Sequence, residues 1–372
     1  MGDVHTEAAH RRTSWVLHVD LDQFIAAVEV LRRPELAGLP VVVGGRGDPT
    51  ERGVVSTASY EAREYGVGSG MPLRTAARTC PDAVFLPVDG PAYDAASAEV
   101  MHALRSFDVP VEVLGWDEAF LAVETADPES SAGHVRAAVF KATGLHCSVG
   151  IGDNKLRAKI ATDFGKPQGV YRLTEENWFQ VMGDRPTDAL WGIGRKTSAK
   201  LAELGIRTVA ELAAAPAQLL ADRLGPRMGP WYRRLGRGVD TSPVDASAYV
   251  PRGHGRETTF QQDLSDWGAV EVEAIGLTRL VWGDVLADGR PATRVGIKVR
   301  YTPFETRTRS LTLSAPSNDE EVVVRAALDL LGRLDHSRSV RLLGIRLEMA
   351  VSADGLATSG RTGQNGENPS HC

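Results

Sequence analysis

Residues 15–24 read WVLHVDLDQF. A short apolar run, Trp15 to Val19, ends against Asp20 and Asp22, which flank Leu21, and such a run suits a buried strand that terminates at a site. The next residues, FIAAVEVLRR, carry helical spacing. Working outward, LPVVVGG predicts a buried strand stopping at glycines, and GVVSTASYEAREYGV a strand followed by a helix. VEVLGWDEAFLAVE predicts a hairpin with Asp117 and Glu118 at its turn, and HVRAAVFKATG a helix before the strand HCSVGIG. Strands and helices mix without strict alternation, so an α+β, palm-like sheet is expected rather than a doubly wound one.

The rest of the chain divides by composition. Residues 174–240 turn helical and Ala/Leu-rich, and TSPVDASAYVPRGHG, with two prolines and few large apolar residues, reads as a linker. Beyond it, TRVGIKVRYTPFETRTRSLTL alternates strongly and NDEEVVVRAALDLLGRL is an amphipathic helix, which together predict a separate small α/β domain. The final stretch, SADGLATSGRTGQNGENPSHC, is polar and Gly/Ser-rich and predicts a disordered tail.

With 372 residues, 42% hydrophobic and 24% charged, the chain has the composition of a soluble enzyme of two or three domains. No window of 18 apolar residues occurs and no apolar run follows Arg11 and Arg12, so the expectation is a cytoplasmic protein with no membrane partner. Cys80, Cys147 and Cys372 are far apart and without CxxC spacing, which argues against disulfides or a zinc site. The net charge of -6 hides an asymmetry. Residues 1–188 hold 18 basic against 27 acidic residues, whereas residues 189–240 hold 9 against 4 and residues 290–310 hold 6 against 1. Basic stretches of this kind bind a polyanion whatever the global charge, because counterion release depends on the charges facing the phosphates.

The acidic half has its own explanation. Asp20, Asp22, Asp117 and Glu118 lie at strand ends of one expected sheet, and adjacent acids in hydrophobic strands are costly unless a cation neutralises them. Mg²⁺ suits such an oxygen-ligand set and keeps substrate phosphates in its shell. Tyr60 and Arg63, three apart on a helix, share one face and can both reach a phosphate chain. GIGDNKLRAKIATDFGKPQG places Lys155, Arg157, Lys159 and Lys166 near a Gly-rich turn; it reads as a phosphate-facing cluster or as a solvated cationic helix. WGIGRKTSAKLAELGI reads as a helix, a Gly-x-Gly hairpin and a second helix, whose glycine amides bind a phosphate without reading sequence, with Lys196 and Lys200 nearby. The metalloprotease, serine-hydrolase and P-loop motifs HExxH, GxSxG and GxxxxGK[ST] are absent from the sequence.

The order VDLDQFIAAVE, STASYEAREYGV, DEAFL, SVGIGDNKLRAKIATDFGKPQG, GIG and RETTFQQDL closely resembles the Y-family, DinB-type (polymerase IV-like) translesion DNA polymerases over residues 14–350. The resemblance implies a multidomain right hand. It would have a palm at 14–23 and 89–173, small fingers at 24–88, a helical thumb at 174–240, a linker at 241–254 and a little finger at 255–350, flanked by a flexible N-terminus at 1–13 and the tail at 351–372. It implies that Asp20 and Asp117 hold two Mg²⁺ ions, with Mn²⁺ as a substitute, that Glu118 binds the ion at the primer 3′-hydroxyl, and that the Leu21 carbonyl completes the nucleotide-side ion. Tyr60, Arg63 and Lys166, with Thr57 and Phe24 nearby, would hold the nucleotide, and Gly53, Val54 and Ser56 would roof the nascent base pair. The expected DNA contacts are Gly192, Ile193, Gly194 and Lys196 in the thumb, and Arg294, Lys298, Arg300, Arg307 and Arg309 in the little finger.

Two departures from the family pattern stand out. The position beneath the incoming sugar, normally Phe or Tyr, is Ile25, so ribonucleotides are expected to compete with dNTPs. The tail after Val351 has no apolar clamp-binding cluster, so a sliding clamp is expected to help synthesis little. The expected enzyme is a monomer on primer-template DNA, adding nucleotides at low fidelity. A catalytically silent DNA-binding relative would not need all three acids, and a palm-type nucleotidyl cyclase would not need the GIG hairpin or the basic C-terminal domain.

Overall fold

In the computed structural model the described residues are 13–351; the expected flexible N-terminus, the disordered tail and the clamp peptide question fall almost wholly outside them. The first elements are β1 (Thr13–Leu21), α1 (Phe24–Arg32), β2 (Val41–Val43), β3 (Thr57–Ala58), α2 (Tyr60–Glu64), α3 (Leu73–Thr79) and β4 (Val84–Leu86). Next come α4 (Gly90–Arg105), β5 (Val111–Val113), β6 (Glu118–Thr125), α5 (Pro128–Thr143), β7 (Cys147–Gly152), α6 (Lys155–Gly165) and β8 (Val170–Leu173). Five helices follow: α7 (Trp178–Met182), α8 (Arg195–Glu203), α9 (Val209–Ala214), α10 (Ala217–Leu224) and α11 (Met228–Gly236). The chain then forms β9 (Gly253–Leu264), α12 (Trp267–Asp288), β10 (Ala292–Tyr301), β11 (Thr306–Ser317), α13 (Glu320–Gly332) and β12 (Val340–Met349).

Contacts divide the described residues into two compact units, one of residues 13–35 and 91–247 and one of residues 36–90 and 248–351. The first contains a five-stranded sheet in the order β5-β6-β1-β7-β8. β1 is central and antiparallel to both neighbours, so the run that ends at Asp20 is covered on both edges. β7 needs its glycines because α6 lies directly on it: a Cβ on Gly150 would stand 2.0 Å from the Ala158 carbonyl oxygen, and one on Gly152 2.4 Å from the Ala158 nitrogen. That close approach carries Lys159 to Glu118, opposite Asp20 at the end of β1. Leu156, Ile160 and Leu173 then share one core with Trp178, Ile193, Leu212 and Leu235, so the sheet and the helical segment are built on continuous apolar packing.

The second unit has two cores. Residues 36–90 make a three-stranded sheet, β3-β2-β4, around Val42, Val55 and Leu73. Residues 253–349 make a four-stranded antiparallel sheet, β11-β10-β12-β9, with α12 and α13 on one face. The alternation of TRVGIKVRY is borne out: Val295, Ile297 and Val299 are buried toward the helices. The two parts of this unit meet through Arg52. Its backbone N–H donates to the Gln261 side chain (2.7 Å), its carbonyl accepts from Gln261 Nε2 (3.1 Å), and its guanidinium reaches the Phe260 carbonyl (2.9 Å) and pairs with Asp263.

Candidate active site and DNA-binding surfaces

Strand register assembles the acids. Asp20 lies opposite Glu118 on β6 and Ser148 on β7, and the Leu21 N–H donates to the Asp117 carbonyl at 2.8 Å. The turn before β6 is closed by the N–H groups of Leu114 and Gly115, which both donate to the Glu118 carbonyl. Asp117 and Glu118 therefore meet the end of β1 where the sequence expected them. Asp22 does not join them: it is buried, accepting from Ser148 Oγ (2.9 Å) and the Gln168 N–H (2.9 Å), and braces the loop after α6.

The three acids experience different fields. Burial, together with the neighbouring charges of Asp20 and Glu118, pushes the Asp117 carboxyl up to about 6. Burial pushes Glu118 the same way, but the hydrogen bond from His18 and the charge of Lys159 overcome it and hold Glu118 down at about 2. His18, only 1% exposed, places Nε2 3.2 Å from Glu118 and Nδ1 2.7 Å from Thr162 Oγ1 on α6. Burial keeps this imidazole below its ordinary value. Sequence reasoning missed His18; the signal was a histidine at an inward-facing position of an otherwise apolar strand.

The four cations of the α6 segment divide into two pairs. Lys155 and Arg157 are buried braces: Lys155 bonds both carboxylate oxygens of Glu112 (3.1 and 3.0 Å), and Arg157 both oxygens of Asp153 (2.8 and 2.7 Å). Lys159 pairs with Glu118, and Lys166, just past the end of α6, reaches Asp20 at 2.8 Å. Although burial pushes the Lys166 ammonium down, Asp20 holds it above its ordinary value. The helix is thus neither solvated nor uniformly phosphate-facing. Among the described residues no three acid, histidine or cysteine side chains stand gathered as a ready-made metal ligand set. The donor set nonetheless suits a hard cation: of the three carboxylates, Glu118 and Asp20 are paired with ammonium groups, and Asp117 is driven toward its neutral form first by burial and then by the charges of Asp20 and Glu118, which a cation would offset.

Phe24 and Ile25 open α1 after Gln23, which takes a left-handed conformation (φ 45°). Phe24 is buried in the core, so it is a packing residue, and Ile25 is the half-exposed member of the pair.

In the second unit, Ser59 caps α2 by accepting from the Ala62 N–H. Arg63 lies over the Tyr60 ring, 5.1 Å from its centroid, and donates from Nε to the Ala58 carbonyl (2.9 Å). Thr57 pairs with Val43 across β3 and β2. In the segment 53–56, Val55 is buried while Val54 is exposed and Ser56 half-exposed. At Gly53 a Cβ would stand 2.8 Å from Leu73 Cδ1, so any side chain there requires Leu73 to shift.

The hairpin at Gly192–Gly194 differs in one respect from its sequence reading: what precedes it is a single 3-10 turn, Thr187–Ala189, not a full helix. Gly192 has φ +98° and is pressed by Trp231, while Gly194 caps α8. Ile193 is 3% exposed and pins the loop to the core, leaving Gly192, Gly194 and Lys196 exposed.

In the C-terminal sheet, Arg294, Lys298 and Arg300 lie on the face away from the helices, opposite Thr312, Thr308 and Thr306 of β11. Arg307 and Arg309 pair with Val299 and Ile297 and so belong to the other face, exposed at its open edge. The five cations therefore do not form one patch. Arg346, overlooked in the sequence, joins the outer face opposite Gly296 and is exposed; the alternation of VRLLGIRLEM carried that signal.

Comparison with known proteins identifies the family. The impB/mucB/samB family model matches residues 19–163, its C-terminal domain model residues 251–359, and a DNA polymerase-iota thumb domain model residues 188–240. DNA polymerase IV 2 of Mycobacterium tuberculosis is 52% identical over 340 residues, covering 90% of this chain and 98% of that protein. DNA polymerase IV of Methanoculleus marisnigri is 42% identical over 341 residues, covering 90% and 94%. Among solved structures, a Y-family DNA polymerase chimera aligns with a TM-score of 0.81 at 25% identity, and DinB from Sulfolobus solfataricus with 0.61 at 26%, each covering 90% of this chain and 98% of that chain. The chain belongs to the DinB-type, DNA polymerase IV branch of the Y-family and is a DNA-directed DNA polymerase.

Proposed function

We propose that the protein is a translesion polymerase that binds primer-template DNA and extends the primer by two-metal nucleotidyl transfer, with weak discrimination between deoxyribose and ribose. The observation that carries the mechanism is the convergence of Asp20, Asp117 and Glu118 at one end of the central strands, where their negative charge is only partly balanced by Lys159 and Lys166. Asp20, Asp117, Glu118 and the Leu21 carbonyl would hold the ions. When bound, two divalent cations supply Lewis-acid activation of the primer 3′-hydroxyl and neutralise charge on the leaving pyrophosphate. The 3′-oxygen forms the new bond to the α-phosphorus as the bond to the β-phosphate oxygen breaks, and the hydroxyl proton passes to solvent. His18 and Thr162 fix the orientation of Glu118. Lys166 would exchange Asp20 for the triphosphate; Tyr60 and Arg63 would be further phosphate ligands by the family resemblance.

Sugar selection falls to Ile25, which lacks the flat ring that would close on C2′. Thumb and little-finger cations, by the same reading, hold the duplex through its phosphates. Primer extension on an undamaged template tests the assignment: Asp117→Ala should abolish synthesis while primer-template binding stays nearly intact. Undiminished synthesis by that variant would sink it.

A further inference from the structure

Two lysines of α6 face one row of rings. The His18 and Phe120 centroids lie 4.9 Å apart, and those of Phe120 and Trp191 6.1 Å apart. Lys155 Nζ stands over the Phe120 ring at 5.6 Å and Lys159 Nζ over the Trp191 ring at 5.4 Å, both within reach of a cation–π attraction. The two ammonium groups differ in the acid each holds. Glu112 accepts Lys155 through both oxygens and also accepts from the Asp245 N–H, so it is committed to bracing. Glu118 pairs with Lys159, yet it is one of the acids assigned to a divalent ion. An ammonium and a metal ion on one carboxylate oxygen repel each other, so Glu118 must release Lys159 to take an ion. The Lys159 side chain is only 19% exposed, and an ammonium withdrawn from water needs a new partner. Asp20 is already paired with Lys166 and Glu112 with Lys155, which leaves the Trp191 face and His18 Nε2, at 3.4 Å, beside it. Trp191 is itself held in place, because it packs on the core that includes Ile193, two residues on in the hairpin.

We propose that Trp191 is a positioning residue of the nucleotidyl-transfer site, its ring face receiving the Lys159 ammonium when Glu118 takes up a divalent cation. Lys159 is then a displaceable stand-in for that cation, and Trp191 sets how easily it leaves. The proposal rests on the two-metal reading and adds to it a residue that touches neither ion nor substrate. Without the ring, Lys159 has a poorer alternative to Glu118 and Glu118 gives it up less readily. The test is a thermal melt of the full chain, stripped with EDTA and titrated with Mg²⁺ in the absence of DNA, so that ion uptake is read and not synthesis. Trp191→Leu should raise the half-saturating Mg²⁺ about three- to tenfold, and Trp191→Phe, which keeps a ring, about twofold or less. Lys159→Met should lower it. Adding Trp191→Leu to Lys159→Met should change nothing further, since a residue that acts through Lys159 has no effect once Lys159 is gone. In wild type, the Lys159 ε-methylene resonance should move upfield on adding Mg²⁺ as the ammonium settles on the indole face, a readout independent of variant folding.

Wild-type Mg²⁺ dependence in Trp191→Leu, the same shift in the Lys159→Met background, or an unmoved Lys159 resonance would overturn the role of Trp191 and leave the two-metal reading standing. A weakened Mg²⁺ response in Asp163→Asn but not in Trp191→Leu would make the exposed Asp163, one turn on from Lys159, the acceptor and overturn it likewise. Wild type that gains no stability from Mg²⁺, alone or with primer-template and nucleotide, would instead sink the two-metal reading and the proposal with it.

Discussion

Replacing Asp117 by asparagine should make the metal-free protein more stable while destroying its activity. The ordinary value for an aspartate is 3.8 and burial with Asp20 and Glu118 raises it to about 6 here, so the ionised form is disfavoured in the folded state by about 3 kcal/mol. Between these two values the folded protein binds more protons than the unfolded chain, so this contribution to stability falls as pH rises toward 6. Above about 6 the full penalty is in place. Asparagine keeps the shape and removes the charge, and after allowance for solvent screening the expected gain at pH 8 in EDTA is roughly 2 kcal/mol, on the order of 4–8 °C in Tm. At pH 4 the two proteins should melt together. Adding Mg²⁺ should raise the wild-type Tm by mass action and move the asparagine variant much less. Thermal melts at both pH values, with and without Mg²⁺, check all of this. An asparagine variant no more stable than wild type at pH 8 in EDTA would refute the reasoning, because it would mean that neither burial nor the neighbouring acids penalise the ionised Asp117.

Glu118→Gln should behave oppositely: with its carboxyl held at about 2, well below the ordinary 4.5, Glu118 adds stability above pH 4.5 that is lost as pH falls toward 2, and the variant should lose roughly 2–3 kcal/mol at neutral pH by denaturant titration. Ile25 should give a dNTP over rNTP preference in kcat/KM below about 10², and Ile25→Phe should raise it mainly by depressing rNTP use; single-nucleotide kinetics showing a wild-type preference above about 10⁴ would count against this. Arg52→Ala should speed amide exchange in residues 50–56 and 260–263, since it removes a charge-assisted tie of roughly 1–3 kcal/mol; exchange as in wild type would mean the contact does not hold. Gly150→Ala should cost more than about 4 kcal/mol or fail to fold, because its methyl group would meet the Ala158 carbonyl at 2.0 Å, and a soluble variant with wild-type melting would contradict that packing.

The sequence by itself determined the elements and the acids. Two apolar runs that each stop at carboxylates point to strand ends facing a charged site, so Asp20, Asp117 and Glu118 could be read before any fold was known, and the alternation of TRVGIKVRY fixed which residues of β10 face the core. Family motifs in order supplied the activity. What the tertiary structure alone decided is which charges meet. Asp20 and Asp22 are two apart in one motif, yet a buried hydrogen bond to Ser148 makes Asp22 a brace and leaves Asp20 at the site. Lys155 and Lys159 share a helix, yet Glu112 neutralises one and Glu118 holds the other. Arg307 and Arg309 look equivalent to Lys298 along the chain, but strand register sends them to opposite faces of the sheet. His18 stands out in the sequence as a histidine in an apolar strand, but its partners Glu118 and Thr162 are set only when α6 closes on β1. The physical reason is the same in each case: periodicity along a chain reports burial, which is local, whereas the partner of a charge depends on which distant strand or helix the packing brings within about 4 Å.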